Sequence, residues 1–332
     1  MTVESARNGS VELAYEVVGP RGGEPLLLVM GLDAPMRWWP DGFCLELVDR
    51  GFTVVRFDNR DTGRSTRTAA RFDDRGGDTG RSTRTAARFD DRGGDTVRST
   101  RTVGRPCGGA NRASAAYSAR DLIEDARAVL DALDWPTAHV VGHSLGASIA
   151  IGLGLHHPER VRTITSLSGL PRGYRLAEAA RYVDLRGFLR LARVSARRSR
   201  TREQEVRQQV ALARMQAARS QPFDVLWALE TARQVVADGL SDPATAARQL
   251  TAIRTGSRLL RHPERLTAPL LAIHGAEDPL LRPSAAAALA RAVPGGRAIV
   301  FGEMGHEIPR RLWSALADAI ARNACRSRVL AR

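Results

Sequence analysis

The sequence predicts an α/β protein: a mostly parallel sheet flanked by helices, with a helical segment inserted between two of its strands. Three observations carry that reading. Short apolar strands alternate with amphipathic helices through the first half of the chain, as in a parallel sheet covered on both faces. The alternation stops at residue 171 and resumes near 266, so that residues 171–265 show helical patches and no convincing strand. One strand, residues 138–143, runs through a Gly-x-Ser-x-Gly turn straight into a small-residue helix. The expected organisation is therefore a core in two parts, residues 1–170 and 266–332, with a cap at 171–265 between them.

Taken in order, residues 10–18 (SVELAYEVV) read as a strand at the sheet edge, followed by a Gly/Pro turn. Residues 25–30 (PLLLVM) form a continuous apolar run, as expected of a strand buried on both faces. The run ends in Gly31-Leu32-Asp33, where the backbone turns sharply. A helix near 41–50 and a second buried strand over 51–58 follow. Residues 61–77 then recur identically as 78–94, and a third, partial copy opens at Asp95. Identity of this kind points to tandem duplication. Solenoid repeats each need an apolar face to stack, and this unit has almost none. The repeat region, about 61–110, reads as a surface loop, long and mobile from about 69.

Residues 117–133 carry Leu122, Ile123, Ala126, Val129, Leu130 and Leu133 at helical spacing, with Ser118 as the expected N-cap. The Gly-x-Ser-x-Gly strand and its helix come next, then a strand over 160–169. Within the insertion, Phe188, Leu189 and Leu191 mark one amphipathic patch, Val206, Val210 and Met215 another, and Phe223, Leu226 and Leu229 a third. Strands return at 269–275 and 297–301, and a helix over 309–321 closes the core.

Composition excludes several classes. The formal charge is +14, yet all 50 basic residues are arginine, which suits a GC-rich coding bias as well as it suits a polyanion partner. Aromatic residues make up 5% of the chain and do not interleave with the basic clusters, so nucleic-acid binding is not expected. Most of the excess charge lies in 171–265, with 19 arginines against nine acidic residues. The favoured reading is a solvated helix face. The sharper one places the arginines at the cavity mouth, drawing in anionic substrates or an anionic membrane surface. Cys44, Cys107 and Cys325 are too few and scattered for a disulfide framework or a metal site. The first residues hold no apolar run and no segment approaches a membrane span, so a soluble, cytoplasmic protein is expected. Composition leaves the oligomeric state open.

The chemistry centres on Ser144. Gly142 and Gly146 allow a strand-to-helix turn tight enough to strain the serine backbone, lift its Oγ clear of the sheet and set the Leu145 amide beside it. The Leu32 amide, in the loop after the 25–30 strand, is the expected second donor to an oxyanion. A serine hydroxyl needs a base, and a histidine base needs a carboxylate to fix its tautomer. His306 and Asp278 stand at the ends of later strands, in the order Ser144, Asp278, His306. Asp278 could instead only cap its turn, His306 could pack on the last helix, and Glu277 is a rival acid. His139, His143, His156 and His157 read as structural.

These residues, together with Leu28-Val29-Met30-Gly31-Leu32-Asp33-Ala34, Trp38-Trp39-Pro40 and residues 56–65 (RFDNRDTGRS), resemble the α/β-hydrolase superfamily. The resemblance is to a bacterial carboxylesterase branch that includes methylesterases of anthracycline pathways. It implies Ser144 as nucleophile, Asp278 as acid, His306 as base and the Leu32 and Leu145 amides as oxyanion hole, with no metal or organic cofactor. The implied function is serine hydrolysis, through an acyl-enzyme, of a small or medium apolar ester. A cofactor-free perhydrolase or a C–C bond hydrolase would share the same triad. A hydrolase-like binding module without turnover is the alternative from another class. The duplication is a departure from the family, lengthening one connection by 34 residues.

Overall fold

The structure, a computed structural model, describes residues 2–68, 116–171, 180–195, 199, 201–239, 242 and 244–330. Eight strands form one sheet: β1 (Val3–Asn8), β2 (Val11–Val18), β3 (Glu24–Val29), β4 (Phe52–Phe57), β5 (Ala138–His143), β6 (Val161–Leu167), β7 (Leu270–Gly275) and β8 (Arg297–Phe301). Their order is β1-β2-β4-β3-β5-β6-β7-β8. The β1–β2 and β2–β4 pairs are antiparallel and every other pair is parallel.

One expectation is corrected here. Residues 11–18 are not the edge, because β1 takes that place through a hairpin turned at Gly9, whose φ is 59°. The β1 sequence, VESARN, gives little sign of a strand. Val3 apart, its residues are polar or small, and Ala6 alone among them is buried.

Strand periodicity divides the core into two layers. Leu27, Val29, Val55 and Val140 face α2 (Ala119–Ala132) and α3 (Leu145–His156). Leu26, Leu28, Val54 and Ile273 face α1 (Asp41–Val48) and the last helix. Both faces of β3, β4 and β5 are thereby covered, which is why those segments read as unbroken apolar runs. Ser118 opens α2 with a reciprocal capping box to Asp121, worth about 1 kcal/mol.

The insertion contributes α4 (Leu185–Ser195), α5 (Arg202–Gln216), α6 (Val225–Asp238) and α7 (Thr245–Thr255). Among the described residues it adds no strand to the sheet; Val183 only bridges Leu281. Polar bonds strap it to the core. Arg248 on α7 pairs with Asp61 at 2.7 Å, and Gln249 Nε2 donates to Arg60 O at 3.1 Å. Asp238 at the end of α6 receives Arg37 Nε at 2.9 Å.

After the insertion, α8 (Ser284–Ala292) links β7 to β8. A 3-10 turn over Arg310–Leu312 then leads into α9 (Trp313–Leu330), which runs further than the sequence pattern suggested because Leu316, Ala317, Ile320 and Ala324 continue one buried stripe. Among the described residues, no helix is long and apolar enough to cross a membrane.

The opening of the first repeat unit is a packed turn and not part of a loose loop. Asp61, Thr62 and Ser65 are buried, and Ser65 Oγ accepts Ala14 N–H at 2.9 Å while donating to Asp58 O at 2.7 Å. Gly63 has φ 49°, and a Cβ there would collide with the Asp58 carboxylate. The long loop expected from about 69 lies outside the described residues.

Candidate active site

β5 delivers Ser144 to the end of the sheet at φ 53° and ψ −113°, a backbone conformation that costs a non-glycine residue about 1–3 kcal/mol. The turn is held by Ser144 N–H donating to Leu167 O at 2.8 Å. A Cβ on Gly142 would meet the Gly146 carbonyl, and one on Gly146 would meet the Val29 carbonyl. Only glycine at both positions lets helix, elbow and β3 approach this closely. The strain is therefore locked in by packing on three sides.

β3 ends against the same turn. A Cβ on Gly31 would lie 3.3 Å from Ser144 Cβ, so the Gly31-Leu32-Asp33 loop abuts the serine. Asp33 carries the sharp bend at φ 51°, and its N–H donates to Gln249 Oε1 of the insertion at 2.9 Å. Asn59 Nδ2 steadies the loop from below through Met30 O at 3.0 Å. Leu32 and Leu145 both line the cavity over Ser144, and among the described residues neither amide donates to a protein acceptor.

Asp278 follows β7 with its side chain fully buried. Its Oδ1 accepts the Leu280 and Leu281 N–H groups, each at 2.8 Å. Its Oδ2 lies 2.7 Å from His306 Nδ1 and 3.1 Å from His274 Nε2. The residue both closes its own turn and faces the imidazole. Burial pushes the carboxyl pKa up, but the His306 charge and the hydrogen bonds from His274 and His306 outweigh it and hold the group far below the usual carboxylate range. Glu277 goes elsewhere: its carboxylate accepts the Arg219 N–H at 2.8 Å and the Ser220 N–H at 2.9 Å.

His306 is buried and pinned along its backbone. Its N–H donates to Gln216 O at the end of α5 at 2.7 Å, and its carbonyl accepts His143 Nε2–H at 2.8 Å. The two imidazole rings lie 4.9 Å apart, centroid to centroid. Burial, reinforced by the His306 charge, pushes the His143 pKa down to about 3, so this ring is a neutral strut. Ser144 and His306 share one cavity wall without a hydrogen bond between them among the described residues. Bonds of this kind tighten when a substrate arrives.

His139, His156 and His157 bond to Thr163, Leu259 O and Glu124, and none of them lines the cavity. The sequence reading assigned no part to His274 or Gln249. A histidine inside the apolar run LLAIHG, four residues before Asp278, is the one available signal for His274.

The cavity over Ser144 measures about 940 Å³. Its roof is apolar and aromatic: Phe188, Leu212, Phe223, Trp227 and Leu250 come from the insertion, and Trp38 packs edge-on to Trp227 at 5.8 Å. Among the described residues, the arginines on its wall are Arg310 and Arg311, from the turn after His306. Among the described residues, no arginine of the insertion reaches it.

Known proteins extend this picture. The chain is 29% identical to rhodomycin D methylesterase DnrP of Streptomyces peucetius, over 96% of this chain and 97% of that one. It is 31% identical to a 2-hydroxymuconate semialdehyde hydrolase of Pseudomonas putida, over 58% of this chain and 64% of that one. Among solved structures, the esterase RhEst1 of Rhodococcus sp. superposes with a TM-score of 0.64 at 17% identity, covering 97% of this chain and 99% of that one. The model of the alpha/beta hydrolase fold matches residues 24–309, and the chain belongs to that family.

Proposed function

We propose that the protein is a serine ester hydrolase working through an acyl-enzyme. The observation that carries the reading is the placement of a strained Ser144 and an Asp278-bonded His306 on one cavity wall, beside two uncommitted amides. His306 Nε2 takes the Ser144 proton as Oγ attacks the ester carbonyl. The Leu32 and Leu145 N–H groups receive the oxyanion. Collapse breaks the C–O bond, and His306 returns the proton to the departing alcohol. A water then gives its proton to His306 and attacks the acyl carbon, releasing the carboxylic acid and restoring Ser144. Asp278 holds the Nδ1–H tautomer and steadies the imidazolium throughout.

The substrate follows from the cavity and the methylesterase relative. A cavity of about 940 Å³ lies near the upper end of small-molecule sites, larger than a small ester requires. The proposed substrate is the methyl ester of a bulky, apolar, ring-containing acid, its rings under Trp38 and Trp227 and its alkoxy group small enough to leave past His306. In this reading residues 171–265 act as a lid that selects the acid portion. The test is a panel of methyl esters of graded acid size, with Ser144→Ala as control. Turnover rising with acid size and lost in Ser144→Ala supports the proposal. Turnover confined to a vinylogous diketone would favour the C–C bond hydrolase alternative, which uses the same three side chains.

A further inference from the structure

His274 is fully buried on β7, four residues before Asp278, and is not among the residues that line the cavity. Its Nε2 lies 3.1 Å from Asp278 Oδ2 and 3.2 Å from Leu281 O, both acceptors. Its Nδ1 is buried and, among the described residues, has no hydrogen-bond partner. Nε2 faces two acceptors and so carries a proton, which it donates to them. The Nε2 proton is therefore offered to the same carboxylate oxygen that receives His306 Nδ1–H.

We propose that His274 is a positioning residue that sets how strongly Asp278 grips His306. The inference rests on the reading of His306 as the base. Asp278 cannot turn to escape the competition, because Oδ1 is anchored by the Leu280 and Leu281 amides. A second donor on Oδ2 drains negative charge from the bond to His306 and so stabilises the imidazolium less. The base is kept free for proton transfer at lower pH than a singly bonded carboxylate would allow. The other titratable or charged groups around the pair are His143 from β5, Glu307 beside His306, and Arg311, 3.6 Å from Glu307. The variants below leave all three in place.

The experiment measures kcat and KM against pH for the wild type, His274→Leu and His274→Gln, with p-nitrophenyl butyrate as probe. In His274→Leu the acid-side limb should move up by about half a pH unit to one unit, with kcat falling more than KM rises. Glutamine can reach the same oxygen with an N–H and should return the limb toward wild type. If His274→Leu does not fold, His274→Phe supplies the arm without a donor. An unmoved limb in the donor-less variant, or the same shift in His274→Gln, overturns the inference and leaves His274 as core. A Ser144→Ala control separates this from the larger reading. Turnover surviving there overturns both; its loss beside an unmoved limb overturns this inference alone.

Discussion

Asp278 Oδ2 stands 2.7 Å from His306 Nδ1, while Glu277, one residue earlier, turns away to bond Ser220. The two carboxylates therefore have separable effects. Asp278→Asn should lower kcat by about 10⁴-fold, the loss seen when a triad acid is neutralised. Glu277→Gln removes a bond between core and insertion and should leave kcat within about tenfold of wild type. Steady-state kinetics of both variants check the assignment. The reverse ranking would move the acid to Glu277.

The packed turn at the start of the repeat makes two deletions of equal length unequal. Removing residues 69–102 or 61–94 takes out 34 residues either way. The first keeps Gly63. The second brings Val97 into its place, a β-branched residue at φ 49° against the Asp58 carboxylate. Loop closure depends weakly on length, so the 69–102 deletion should change stability by about 1 kcal/mol or less. The 61–94 deletion should lower Tm clearly further. Equal Tm values for the two would show that the Gly63 turn does not matter.

One half-buried carboxyl and one buried carboxyl give stability a pH dependence of one sign. Burial, with the Glu205 and Asp242 charges, raises the Asp33 pKa to about 7, and burial raises Asp58 to about 6 despite two backbone N–H bonds. The folded protein thus binds these protons more tightly than the unfolded chain, so stability falls as pH rises from about 4 toward 7 and levels off above. Asp33→Asn should flatten the segment between about 6 and 7, measured as Tm against pH. The lowered Asp278 acts in the opposite sense, its contribution being lost only below about pH 4. A variant keeping the full slope between 6 and 7 would remove Asp33 as its source.

The arginines of the insertion should not steer substrate. Arg186, Arg190 and Arg193 lie exposed on α4 and do not line the cavity, whose arginines among the described residues are Arg310 and Arg311. Arg310 and Arg311 share their wall with Glu307, Asp33 and Asp224. Neutral and anionic esters of similar size should therefore show the same shallow dependence of kcat/KM on ionic strength. A steep fall for the anionic ester alone would restore the steering reading.

What was legible in the sequence was whatever chemistry a single segment carries. The runs around Leu26 to Val29 and Val140 to Val141 announce strands because both their faces are buried, and Gly142 and Gly146 announce the elbow because no other residue fits there. The polar β1 was hidden, since its place is set by pairing with β2 and not by its own pattern. His274 was hidden for a similar reason: its partner Asp278 becomes its neighbour only through the turn after β7. The Asp33–Gln249 bond joins residues 216 positions apart, beyond the reach of any local spacing.

A serine mechanism requires Ser144 to become covalently acylated, and intact-mass analysis of enzyme quenched during turnover of an activated ester detects that adduct. The expected result is one added acyl mass per chain, mapped by peptide fragmentation to Ser144, accumulating further in Asp278→Asn and absent from Ser144→Ala. Full turnover by Ser144→Ala, or an adduct that maps to another residue, would contradict it.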